Sequence, residues 1–311
     1  PNSIFFEIFF KALNYKKFKS PIILIASLNL LKLQMKKLNI KKNIKLLNLF
    51  KLKKHKLNNK TINLININYN QRKPFDKISS KSNQYIEQSF ESAIKILQKK
   101  ISNKFINGPI SKKFFLKKKF LGITEYLANK TNTKNFAMLI YNKNLSVCPI
   151  TTHLPLKKVS KKINKKLIIQ KIKLINIFFK KYIKKKPNIA ISGLNPHCET
   201  NDLFDEDKKI LKPAIKHLSK LRYKVSGPFA ADTIFLKKNR KKYDVIIGMY
   251  HDQVLTPIKT LFEYDAINIT LGLPFIRISP DHGPNEKMLG KNLSNPLSLI
   301  KAIMFLDSKN V

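Results

Sequence analysis

Short apolar runs rich in β-branched residues alternate along this chain with longer stretches whose apolar residues recur every three to four positions. That alternation limits the folds open to it. An apolar run of about four to eight residues suits a strand buried on both faces, and such a strand reaches the next parallel one through a crossover helix. Pro21–Ser27, Ile62–Ile67, Phe136–Tyr141, Leu145–Thr151, Asn188–Leu194, Asp244–Tyr250 and Ala266–Leu271 read as strands. Between them, Ile86, Phe90, Ile94, Leu97 and Ile101 make one helical stripe over Tyr85–Ile101. Ile163, Leu167, Ile168, Ile172, Ile175, Phe179 and Ile183 make a second, backed by lysines. Ser294-Asn295-Pro296 reads as the cap and first turn of a closing helix through Phe305. The pattern is that of an α/β protein with a mainly parallel sheet. Lys36–Lys60 and Asn70–Gln84 are low in complexity and read as surface or loop.

With 311 residues, 43% of them hydrophobic, the chain can bury one large core or two ordinary ones, which excludes a disordered chain or a small disulfide scaffold. Its 62 basic residues against 18 acidic ones give a formal charge of +44, which raises nucleic acid or an anionic membrane as a partner. The distribution argues otherwise. The lysines are scattered through every segment, only Arg72, Arg222, Arg240 and Arg277 are arginine, and the wealth of Ile, Asn and Phe is the mark of an AT-rich coding sequence. The charge is therefore read as a solvated surface. Cys148 and Cys198 have no paired spacing, which fits a reducing compartment and not a zinc knuckle. The longest apolar run, Pro21–Leu31, is shorter than the roughly 20 residues of a membrane helix and follows no cleavable signal, so a cytoplasmic protein is expected. The chain opens at Pro1 directly into a helical pattern, and a missing N-terminus is expected.

Glycine is scarce, so its positions are informative: it persists where a side chain would clash or φ is positive. The eight glycines lie at 108, 122, 193, 227, 248, 272, 283 and 290, most of them beside a polar group that follows an apolar run. In an open parallel sheet that is the ligand-binding edge. His153, His197 and His251 each follow such a strand and would emerge at one end of the sheet, where three imidazoles can converge on a divalent metal. For each singly, the alternative is a satisfied surface or core imidazole; His55 and His217 lack the context and read as surface. Asp252 and Asp232 read as a further ligand, an orienting carboxylate, a base or a structural cap. Arg277, one of four arginines, suits a bidentate phosphate or carboxylate contact, and Lys259 lies nearby in sequence. Neither a Walker loop nor a Gly-x-Gly-x-x-Gly fingerprint occurs.

The stretches Thr151–Pro155, Gly193-Leu194-Asn195-Pro196-His197, Tyr250-His251-Asp252-Gln253 and Asn268–Arg277, followed by Asp281-His282-Gly283, together resemble the 4-hydroxythreonine-4-phosphate dehydrogenase family of pyridoxal phosphate biosynthesis. The resemblance runs through the chain and is strongest from Gly108 onward. It implies an α/β fold like the isocitrate and isopropylmalate dehydrogenases, with two domains and a cleft between them: residues 1–110 with 262–311 on the cofactor side, and 111–261 for metal, substrate and dimerisation. It also implies a homodimer with the active site at the interface.

Carried over residue by residue, the family's metal ligands fall on His153, His197 and His251, and its substrate contacts on Thr124, Lys259, Asn268 and Arg277. Asp281, His282 and Gly283 correspond to an adenosine-side cofactor loop. The implied reaction is oxidation of 4-phosphooxy-L-threonine by NAD or NADP, with loss of CO2, assisted by one Zn²⁺, Mg²⁺ or Co²⁺ per subunit and by Asp252 or Asp232 as base. Two departures stand out. Ile123 occupies the place of a substrate-contacting histidine, with Lys112 as the candidate to compensate, and the family's first strand is expected to be absent before Pro1. The rival readings are a dehydrogenase of another four-carbon acid phosphate, of the threonate or erythronate type, and a non-catalytic basic nucleic-acid-binding protein.

Overall fold

The computed structural model describes residues 1–116, 119–280 and 283–308. The chain divides into two compact units, Pro1–Phe120 with Pro274–Lys309 and Leu121–Leu273. Its strands are β1 (Ile23–Ala26), β2 (Ile44–Leu46), β3 (Ile62–Asn66), β4 (Lys104–Ile106), β5 (Ala137–Tyr141), β6 (Ser146–Pro149), β7 (Ile189–Ser192), β8 (Val225–Phe229), β9 (Val245–Gly248), β10 (Ile267–Leu271) and β11 (Ile276–Pro280).

In the first unit, β1, β3 and β2 form a parallel sheet in that order, and β4 pairs in parallel with β11. The opening helix Phe5–Tyr15 buries Phe6, Ile8, Phe9 and Phe10 against Leu24, Leu64, Leu299 and Ile303. Its one carboxylate, Glu7, is 2% exposed and accepts from the Ser294 amide at 2.6 Å and from Lys11 Nζ at 3.0 Å, which is how a buried charge is made tolerable. A cavity of about 560 Å³ lies within this unit. Consecutive residues of β1 and of β4 line it, so strand edges and not only alternate side chains border the space.

The second unit holds strands in the order β10-β5-β6-β9-β7-β8. β6, β9, β7 and β8 run parallel, whereas β5 is antiparallel to both β10 and β6. The division at 273 keeps β10 with this unit, beyond the boundary at 261 expected from sequence, because its ladder with β5 runs from Ile267 to Leu271. β6, β7 and β9 are buried at every residue, as strands covered on both faces must be. The Lys-backed stripe becomes the helix Lys165–Phe178, capped by Asn164, whose Oδ1 accepts from the Leu167 amide at 2.9 Å. Lys171 on this helix is 5% exposed, and burial pushes its ammonium pKa down, so not every lysine is a solvated one.

Lys36–Lys60 departs from the loop expectation. It contains β2 and a turn of 3₁₀ helix at Leu49–Lys54, and Leu47 and Leu52 pack with Ile65 and Ile96. A few apolar residues do the packing while lysines face outward, which masks the strand signal. β4, β8 and β11 were also illegible: β8 carries Gly227 and Pro228, acceptable because it is an edge strand. Among the described residues, no helix is long and apolar enough to cross a membrane.

Candidate active site

In the second unit, β6, β9 and β7 are adjacent and parallel, and their carboxyl ends lead directly to His153, His251 and His197. The sheet therefore delivers all three histidine segments to one edge. His153 and His251 come together, with ring centroids 5.6 Å apart. His251 opens the helix His251–Phe262, and its Nδ1 lies 2.7 Å from Oδ1 of Asp252, an exposed carboxylate that also suits the positive N-terminal end of the helix. An imidazole held at Nδ1 by a carboxylate presents Nε2 outward, the usual arrangement behind a metal ligand.

His153 has an acidic neighbour as well. Gly122 passes so close to both that a Cβ there would stand 2.7 Å from Glu125 Oε2 and 3.1 Å from His153 Nδ1. Glu125 Oε1 accepts from Thr152 Oγ1 at 3.2 Å, while its buried Oε2 has no hydrogen-bond partner among the described residues. Two imidazoles with carboxylates beside them fit a divalent cation chemically. Among the described residues, however, no three His, Cys, Asp or Glu side chains of one chain group closely enough to hold a metal ion, so His197 is not gathered in with the pair.

His197 sits in an unusual turn. It and Cys198 both have left-handed backbone, with φ of 56° and 65°, a conformation that non-glycine residues adopt at a cost. The Cys198 thiol pKa is raised, first by burial and then by the Asp207 carboxylate, with a further contribution from Asp232. Asp232 is an exposed residue of the short helix Ala231–Ile234.

Of the expected substrate contacts, Thr124 is buried and its hydroxyl is 3.3 Å from that of Thr270. Asn268 in β10 has a buried Oδ1 with no hydrogen-bond partner among the described residues, and Lys259 lies partly exposed near the end of the helix His251–Phe262. Arg277, Lys112 and Gly283 belong to the first unit. Arg277 is 3% exposed and its Nε donates to Asn107 Oδ1 at 2.7 Å. Lys112 is an exposed residue of the short helix Lys112–Phe115, and Gly283 has open space where a Cβ would be. Asp281 and His282 lie outside the described residues. Ile123 is buried at 7% exposure. It packs as an apolar residue at the start of the helix Ile123–Lys130, which is where the sequence reading expected a missing polar contact.

Sequence reasoning missed Asp207, Gln253, Asn107 and Glu125 as polar anchors. Gln253 lies inside a quoted motif, Glu125 follows Gly122 by three residues and Asn107 precedes Gly108-Pro109, so nearness to a glycine or histidine was their only signal.

An open-edged, mainly parallel α/β unit with histidines at its strand ends has the ligand-binding edge of an α/β enzyme. Residues 17–306 match the family model described as pyridoxal phosphate biosynthetic protein PdxA, and the chain belongs to that family. It is 44% identical over 218 residues to a 4-hydroxythreonine-4-phosphate dehydrogenase of a Sulfurihydrogenibium species, which covers 68% of this chain and 67% of that one. It is 40% identical over 183 residues to a D-threonate 4-phosphate dehydrogenase of Pectobacterium atrosepticum, covering 58% of this chain and 56% of that one. The crystal structure of 4-hydroxythreonine-4-phosphate dehydrogenase from Klebsiella pneumoniae superposes with a TM-score of 0.81 at 27% identity, covering 97% of this chain and 93% of that one.

Proposed function

We propose that this protein is an NAD-dependent dehydrogenase that oxidises the secondary alcohol of 4-phosphooxy-L-threonine, the product β-keto acid then losing CO2. The observation that carries this reading is the His153–His251 pair with Asp252 behind it, in a chain of the PdxA family. His153, His251 and His197 would hold a divalent cation, which would supply Lewis acidity toward the substrate hydroxyl and toward developing enolate charge. Because the described residues of one chain do not gather His197 with the other two, the set would be completed in a homodimer whose subunits share the site. NAD, or NADP, would be the hydride acceptor.

The chain's own residues bind and orient. Arg277 and Lys259 provide positive charge for the anionic ends of the substrate, with Lys112 as a further phosphate contact. Thr124 and Asn268 supply a hydroxyl and a buried amide oxygen; the latter lacks a partner among the described residues and matches a substrate donor such as the ammonium. Asp252, engaged with His251, keeps that imidazole oriented. Asp232 is the carboxylate left to take the hydroxyl proton, directly or through water. Asp281, His282 and Gly283 would serve the adenosine side of the cofactor, as the family resemblance implies. A cytoplasmic enzyme fits this chemistry.

The Pectobacterium relative favours a second reading, D-threonate 4-phosphate as substrate, since amine and hydroxyl at one carbon differ little in size. The test is NADH formation followed by absorbance with 4-phosphooxy-L-threonine and with D-threonate 4-phosphate, with and without chelator. Chelator-sensitive turnover of the first compound at the higher kcat/KM is expected. Preference for the second compound selects the alternative, and chelator-resistant turnover removes the metal from the reading.

A further inference from the structure

The side chain of Gln253 spans the ends of two neighbouring strands. Its Oε1 accepts from the Met249 amide at 2.7 Å, and its Nε2 donates to the Gly193 carbonyl at 2.8 Å. Both groups of one amide are used, each in the only sense its chemistry allows, so the side chain cannot be flipped without losing both bonds. Met249 ends the β9 segment just before His251, and Gly193 opens the segment that carries His197. The network extends both ways. The Met249 carbonyl accepts from the Thr151 hydroxyl at 2.7 Å, on the segment leading to His153. On the other side Asp207, 0% exposed, accepts from the Leu194 amide at 2.9 Å, the Asn195 amide at 3.0 Å and Asn195 Nδ2 at 3.1 Å.

Two of the few glycines make room for these anchors. A Cβ at Gly193 would stand 2.9 Å from Asp207 Oδ1, and one at Gly248 would stand 2.9 Å from Gln253 Oε1. The network is therefore built into the backbone, and it runs from one histidine segment to the next.

We infer that Gln253, seconded by Asp207, is a positioning residue that fixes where His197 and His251 project, and so sets the affinity of the histidine site for its cation. The inference rests on the proposed reading of those histidines as metal ligands. Gln253 touches neither substrate nor metal; it acts through the two backbone segments. A strand-end turn that loses such a tie keeps its fold, because the strands below it are paired and buried, but loses its fixed aim.

The experiment compares the full-length wild type with Q253M, Q253E, D207N and H251A. Co²⁺ affinity is measured by visible absorption, and amide hydrogen exchange of residues 194–198 and 249–252 is measured in metal-free protein. Q253M should bind Co²⁺ about 10- to 100-fold more weakly, the usual effect of losing a group behind a metal ligand. Exchange should quicken in both segments while the thermal midpoint stays near that of wild type. Q253E keeps the acceptor for Met249 but cannot donate to Gly193, so its faster exchange should be confined to residues 194–198. D207N should loosen the same segment, and Q253E/D207N should weaken Co²⁺ binding by less than the product of the single effects. Co²⁺ affinity of Q253M within twofold of wild type overturns the inference, as does unchanged exchange at 194–198 in both Q253M and Q253E. If Q253M fails to fold, Q253E decides by the same criteria. The underlying reading fails separately and visibly: wild type and H251A would then bind Co²⁺ equally poorly, whatever the exchange pattern of the Gln253 variants.

Discussion

The two units use their apolar residues differently. In Leu121–Leu273 the central strands are sealed on both faces, and Val147, Ala190 and Ile246 are all 0% exposed within one cluster. In the other unit, large aromatic side chains surround a cavity of about 560 Å³ that reaches the backbone of β1 and β4. The sealed unit can hold strand ends rigid enough to aim histidines, as a rigid scaffold must. The open one leaves two strands partly exposed, Ile23 and Ile25 in β1 and all of β4. Closed packing and site precision thus occur together, and the cavity marks where this chain is least complete in its packing.

The sharpest way to break the comparison is to disable the site without touching the sealed core beneath it. H251A should lower kcat/KM on the order of 10³-fold, several kcal/mol of lost transition-state stabilisation, with the thermal midpoint little changed. A matching loss of stability would show that the site and the core are not separable.

Core truncation tests the packing contrast itself. Ile191→Ala, at a 0% exposed position of β7, should cost about 2–5 kcal/mol in urea unfolding. Ile25→Ala, in β1 beside the cavity, should cost less than half as much, because its surroundings are already partly open. Equal costs would mean that the cavity is filled in solution.

The smallest expected effect concerns Ile123. Since this residue is buried, Ile123→His should cost about 1–3 kcal/mol by placing an imidazole among apolar neighbours, and KM for the phosphorylated substrate should not improve. A several-fold lower KM would restore the reading of Ile123 as a lost substrate contact.

Legibility followed burial and pattern. Each of the seven apolar runs read as strands contains one, and the three histidine segments stand at one sheet edge as their shared context implied. β2, β4 and β11 escaped because they are short and interrupted by Lys or Arg, and β8 because Gly and Pro sit inside it. The anchors Gln253 and Asp207 escaped for another reason. An amide or a carboxylate in a polar stretch looks like surface until the fold shows that it bonds main-chain groups of another segment, Gly193 for Gln253 and Leu194 for Asp207.

What the sequence determined by itself was local and periodic: which runs are strands, which stripes are helices, and which scarce residues, most of the glycines and three of the six histidines, mark the strand ends. These follow from backbone sterics and from the burial of apolar faces, both of which act over a few neighbouring residues. Only the tertiary structure decided that His153 meets His251 while His197 is not gathered in, that Asp252 stands behind one imidazole, and that Gln253 ties Gly193 to Met249. Those are angstrom-scale relations between segments up to about a hundred residues apart, and they depend on strand order and register, which no local pattern encodes.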